Sequence, residues 1–177
     1  MTYEYAIYFK ILYESGYTDE LIQYVNKALD EQDPLSDIIV DLSFAGNNET
    51  KILEILNEYI NDGKCEKDDN ILSNLFFTFL KNRYDKGISM ADMAELMYNI
   101  SIYMKTDEEP WYTMNVMHDL YSEAEDGYID KNGFQQTFYA FINDKVCLSD
   151  YKGLSTPYYK KNKTFFEKIW NMIKEKI

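Results

Sequence analysis

Histidine is nearly absent from this chain: His118 is the only one in 177 residues. The two cysteines, Cys65 and Cys147, form no CxxC pair. A structural zinc site needs about four nitrogen or sulfur ligands at suitable spacing, so that count makes one improbable. It also removes a disulfide framework and fits a reducing compartment. No apolar run approaches the ~18 residues of a membrane span. The N-terminus, MTYEYAIYFK, has Glu4 where a signal peptide carries positive charge. The expected location is therefore cytoplasmic, with no membrane association. No GxxxxGK[ST] occurs and no Gly-rich loop follows a strand pattern, which argues against a phosphate cradle. Arginine is limited to Arg83, while Lys, Asn, Ile and Tyr are abundant. That bias points to an AT-rich bacterial genome.

What is present is acid and apolar surface. Apolar residues make up 46% of the chain, enough for a sizeable core. Thirty-one acidic residues face 18 basic ones, a net charge of -13. Such a surface repels phosphate backbones, so direct nucleic-acid binding is disfavoured. The imbalance is uneven. Residues 151–177 hold seven lysines and two glutamates, and residues 1–150 carry a net -18. Acid clusters occur at Asp30, Glu31 and Asp33, at Glu66, Asp68 and Asp69, and across 107–130.

Apolar residues recur at spacings of three and four, the sign of one buried helical face. Ile22, Val25 and Leu29 mark a helix over 18–32, and Ile52, Leu56 and Ile60 one over 48–62. Met90, Met93, Met97 and Met104 mark 89–105, and Trp111, Met114, His118 and Tyr121 mark 110–126. Further helices fit 3–15, 34–45, 68–86, 133–144 and 163–176. Gly16, Gly46, Gly63, Gly87 and Gly127 follow such runs and are expected to end them in a left-handed conformation. Pro34 and Pro110 are expected at helix starts, after Asp33 and Glu109. Strand signals are scarce. The expectation is an all-α single domain, 1–177, of eight or nine helices packed as antiparallel hairpins, a bundle or a short superhelix. Residues 146–162 lack periodicity and lead into a basic amphipathic helix carrying Phe166, Ile169, Trp170 and Ile173.

Few constellations promise chemistry. SEAEDGYIDKNG, 122–133, places Gly127 at the sixth position of a calcium loop. Its twelfth is then Gly133, where a bidentate glutamate belongs, and Ala124 fills a ligand position, so calcium is not expected. Cys65 or Cys147 with His118 makes a nucleophile and base only if the fold unites them. Carboxylate pairs are too numerous to single one out. The methionine stripe reads as core filler or as an adaptable groove. Seventeen tyrosines favour protein interfaces, and Tyr158 and Tyr159 are expected to be partly exposed.

Two stretches carry a resemblance: DPLSDIIVDLSFAGNNETKILEILNEYI, 33–60, and LYSEAEDGYIDKNGFQQTFYAFI, 120–142. The first has a proline-started helix with a DLS core. The second is a helix–DG–turn–helix ending in Phe138 and Phe141. Together they resemble a bacterial family of uncharacterised helical proteins encoded beside polymorphic toxins, similar in role to contact-dependent inhibition immunity proteins. The resemblance implies an intracellular inhibitor that occludes the active site or substrate groove of one cognate, basic toxin domain, often a nuclease. It implies no enzyme activity and no cofactor, and structural roles for Asp41, Asp126 and Gly127. The expected partner face is the acidic stretch of Asp107, Glu108, Glu109, Asp119, Glu123, Asp126 and Asp130. The alternative is a regulatory or scaffold helical domain with a different protein partner.

Overall fold

The computed structural model describes residues 1–63 and 67–159. Cys65, Glu66, the expected helix 163–176 and the lysines from Lys160 onward lie outside the described residues. Those residues form eight α-helices, two 3-10 turns and no strand, so the chain is all-α as expected. Contacts group it into two compact units, Met1–Phe76 and Phe77–Ile177.

The first unit contains α1 (Tyr3–Glu14), α2 (Thr18–Glu31), α3 (Asp37–Ala45) and α4 (Glu49–Asp62). It also takes the first half of α5 (Asp69–Asp85), within which the unit boundary falls. Helix α1 is its centre, packing on both α2 and α4. The reason is its stripe: Ala6, Phe9, Leu12 and Tyr13 are all buried. Aromatic rings weld the α1–α2 seam, with Tyr24 stacked at 5.4 Å on Tyr5 and tilted at 4.8 Å to Phe9. Such pairs add about 0.5–1.5 kcal/mol each beyond their burial. Helices α3 and α4 form a hairpin across Gly46–Asn48, with Ile38, Ile39, Leu42, Ile52 and Leu56 inward.

Two boundary expectations need correction. Helix α3 begins at Asp37 with Ser36 at its N-cap, so Pro34 lies before the helix and not in its first turn. Ser36 is extended, as an N-cap residue is, and its carbonyl accepts the first helical bonds from Ile39 and Val40. Pro110 likewise takes the N-cap position of its helix, one residue before the first turn. Gly63 also departs from expectation, since its φ of -67° is extended and not left-handed. It is small for another reason: a Cβ there would press on the Tyr3 ring at 2.8 Å.

The second unit holds the rest of α5, then α6 (Met90–Met104), α7 (Trp111–Glu125) and α8 (Lys131–Asp144). Helices α6 and α7 form the most extensive helix pair. Met93, Met97, Met104, Met114 and Met117 are buried and Trp111 is 1% exposed, so these methionines fill a core and do not line a groove. Ser89 caps α6 by accepting from the Asp92 N–H at 3.1 Å. Helix α7 ends where expected. Gly127 is left-handed at φ 80°, while Tyr128 N–H donates to Glu123 O at 2.9 Å. The EF-hand-like stretch is thus a helix end, a turn and a new helix.

Residues 146–159 are less irregular than their sequence suggests. They hold 3-10 turns over Leu148–Tyr151 and Pro157–Tyr159. The second lies against α8, and Asp130 N–H donates to Tyr158 O at 3.2 Å. Tyr158 is therefore buried, contrary to expectation, whereas Tyr159 is exposed. Burial, then the hydrogen bond of its hydroxyl to Tyr159, pushes the Tyr158 phenol up to about 12. The approach depends on Gly133. A Cβ at that position would overlap the Pro157 carbonyl, which is backbone and cannot swing away. Glycine to alanine in a helix normally gains about 0.5–1 kcal/mol. Here overpacking costs about 1–3 kcal/mol and wins. Gly133→Ala should therefore lower the urea midpoint, whereas Asn132→Ala, exposed one residue earlier, should not.

Candidate functional site

The seven residues expected to form the partner face separate into two kinds. Two are structural. Glu109 precedes α7 and its carboxylate is half-buried. One oxygen accepts from Thr113 Oγ1 at 2.6 Å and Thr113 N at 3.2 Å. The other accepts from Ser149 N at 3.0 Å. Thr113, fully buried, in turn accepts from Leu148 N at 2.8 Å. Glu109 and Thr113 thus latch the 148–151 turn to the start of α7. Asp130 caps α8, accepting from Gly133 N at 3.1 Å.

The other five face solvent. Asp107 and Glu108 precede α7, Asp119 and Glu123 lie along it, and Asp126 is its C-cap. None of Asp107, Glu108, Glu123 and Asp126 has a cationic partner among the described residues. Asp119 lies 3.6 Å from His118 Nδ1 and is 78% exposed. Glu125, also in the stretch, is neutralised by Lys131 at 2.6 Å. Beside the free carboxylates runs an aromatic strip. The Tyr98 ring of α6 lies tilted at 5.4 Å to the His118 ring of α7, and Asn115 donates to Ser101 Oγ one turn along. Ile102, 48% exposed, follows Tyr98 by one turn.

Cys147 is not an activated thiol. Burial first, then the charges of Glu109 and Asp150, push it up to about 12. A nucleophilic cysteine needs the opposite shift. Its neighbours are Glu109, Thr113 and Asp150, while His118 is engaged with Tyr98. The structure does not pair the two. Among the described residues no group of three His, Cys, Asp or Glu side chains is disposed to hold a metal ion.

A second acidic feature escaped the sequence reading. The first turn of α3 and the last turn of α4 wall a groove of about 370 Å³. Asp37 and Asp41 lie on one wall and Glu58 and Asp62 on the other, with Ile38 and Ile55 between them. All four carboxylates are exposed, and none has a hydrogen bond or ion pair among the described residues. Asp41, given a structural role by the resemblance, is one of them. The signal was present in the sequence as two like-charged i,i+4 pairs. Each such pair opposes its helix by about 0.2–0.5 kcal/mol. A separate apolar hollow of about 180 Å³ lies among Leu21, Val25, Leu42 and Ile52.

No protein-family model, no curated protein and no solved structure matches this chain. No described helix is long and apolar enough to cross a membrane.

Two predictions follow the geometry. Glu109→Ala leaves Thr113 and the Ser149 N–H without their acceptor. It should cost about 1–3 kcal/mol in a urea melt and speed amide exchange at 148–151. For Cys147, the thiol is neutral in the folded chain and titrates near its ordinary value when unfolded. Its contribution to stability is whole below the ordinary cysteine range and disappears as pH rises through about 12. Near neutrality the folded thiolate fraction falls about a thousandfold, partly offset by higher intrinsic nucleophilicity. Iodoacetamide should label Cys147 at least about tenfold more slowly in the folded than in the urea-denatured chain, read by peptide mass spectrometry.

Proposed function

We propose that this protein is an immunity protein that binds a basic cognate toxin domain and neutralises it by covering its active site or substrate groove. The observation that supports the reading is the unneutralised acid of α7. Asp107, Glu108, Asp119, Glu123 and Asp126 are exposed on or beside one helix, with no lysine or arginine paired to them among the described residues. A toxin that grips phosphates presents the opposite charge, and opposed potentials speed encounter and reject wrong partners. The neighbouring Tyr98, Ile102 and His118 offer apolar and aromatic area of the kind that anchors an interface centre. The resemblance of 33–60 and 120–142 to toxin-associated proteins points the same way. A regulatory or scaffold role with another basic protein would use the same face and differ in its partner.

The test is co-expression with the protein encoded immediately upstream. Glu123 and Asp126 are changed to lysine, where cations suit the C-terminal end of α7, and Asp107, Glu108 and Asp119 to Asn, Gln and Asn. Glu109 is kept, because its loss would release the 148–151 turn. The wild-type chain should rescue growth and retain the toxin domain through washing. The five-site variant should stay folded by circular dichroism yet associate about tenfold or more slowly and lose protection. A toxin that is bound and neutralised equally by the folded variant removes α7 as the face. A neighbour that is harmless alone, or that kills regardless and never binds, removes the toxin reading.

A further inference from the structure

We propose that His118 is a proton-operated switch on the α7 face: neutral, it leaves the face open to a basic partner, and protonated, it engages Asp119 and repels that partner. The inference rests on the reading of α7 as a docking face for a basic protein and adds the regulation of that face.

Residue type and placement carry it. His118 is the only histidine of the chain. Histidine is the side chain whose ordinary titration falls between pH 5 and 8, while carboxylates and lysines ordinarily keep their charge across that interval. His118 is therefore the side chain that changes the charge of this face near neutrality. It stands amid the carboxylates of the face, with Asp107 and Glu108 before α7 and Glu123 and Asp126 further along. Its side chain is 43% exposed, so both protons and a partner reach it.

Two contacts convert protonation into a change of the face. His118 Nδ1 lies 3.6 Å from Asp119 Oδ1, so an imidazolium forms an ion pair there without any rearrangement. The Tyr98 ring lies 5.4 Å away with its plane inclined by 34°, and an aromatic face attracts a cation. Protonation thus subtracts twice from what a basic partner meets. It adds a positive charge, and it occupies a highly exposed carboxylate.

The elements around α7 leave this pair on its own. From α6 come Tyr98 and, one turn earlier, the exposed Glu95, with Lys105 at the helix end two turns on. Helix α8 meets α7 through Phe134 and Tyr121, and its Lys131 is paired with Glu125. The 148–151 turn, with Asp150, meets α7 at Thr113, and Tyr158 of the last turn interacts with Tyr112. On α7 itself, Asn115 donates to Ser101 and Ser122 Oγ to the His118 carbonyl. Among the described residues, Asp119 is the charged group in contact with the imidazole. The sign is then fixed. A cation docked beside His118 disfavours its proton, so affinity rises as pH climbs through the histidine range and falls in acid.

The probe is a capped tetralysine peptide, titrated into the full-length chain at low salt and followed by amide chemical shifts. At about pH 8 saturable shifts should appear over Asp119–Asp126. At about pH 5.5 the affinity read there should be about threefold to tenfold lower, the effect of one added charge about 6 Å from a surface cation. His118→Phe keeps a ring against Tyr98 but takes no proton, and should bind equally at both pH values. Asp119→Asn should show a smaller difference than the wild type. Equal wild-type affinity at both pH values overturns the proposal. So does an undiminished difference in either variant, or the absence of shifts on α7 at the higher pH. The upstream protein has no part in this measurement, so a neighbour that never binds removes the toxin reading and leaves the switch standing on its own result.

Discussion

Each helix of this protein must bury one apolar stripe, and that constraint fixes where the charge goes. Stripes such as Ala6–Phe9–Leu12–Tyr13 in α1 and Met93–Met97–Met104 in α6 occupy the interior. Fully burying one such side chain is worth about 1.5–3 kcal/mol. A like-charged pair on the opposite face costs only tenths of that. The fold therefore tolerates a net charge of -13. Acid accumulates on the outer faces because burial decides the helix orientation and the exposed charges are too weak to oppose it.

Within that acidic surface, hydrogen bonding distinguishes two populations. Glu109 and Asp130 spend their oxygens on backbone N–H groups and on a buried threonine. They hold the fold's turns and are not available to a partner. Asp107, Glu108, Glu123 and Asp126, and the four carboxylates of the α3–α4 groove, make no such bonds among the described residues. A carboxylate that neither caps, latches nor pairs adds to the repulsion within the isolated chain, offset at Asp37 by the positive end of α3. On the proposed reading, its value is realised when another molecule brings positive charge.

Much of the helical framework was legible in sequence because its determinants are local. Ser89 and Gly127 lie within four residues of the helix ends they close, and three- and four-residue spacing marked the stripes. The departures from expectation are also local: Pro34 and Pro110 lie earlier than a first-turn proline, and Gly63 is extended, its size explained by the neighbouring Tyr3 ring. What sequence could not supply was meeting across distance. Glu109 gains its role from Ser149, forty residues on, and Tyr158 is buried by an approach that only Gly133 permits. The groove is a case in between. Its i,i+4 acid pairs were readable on each helix, but their facing one another depends on how the α3–α4 hairpin closes.

On the proposed reading, the function is carried by the unneutralised carboxylates of α7. The most direct measurement is the affinity of the wild-type chain for the protein encoded immediately upstream, the proposed toxin, at low and at physiological salt. An electrostatic grip predicts binding that weakens steeply as salt rises, with the loss mainly in the association rate. Binding indifferent to salt, or no binding at low salt, would contradict the account.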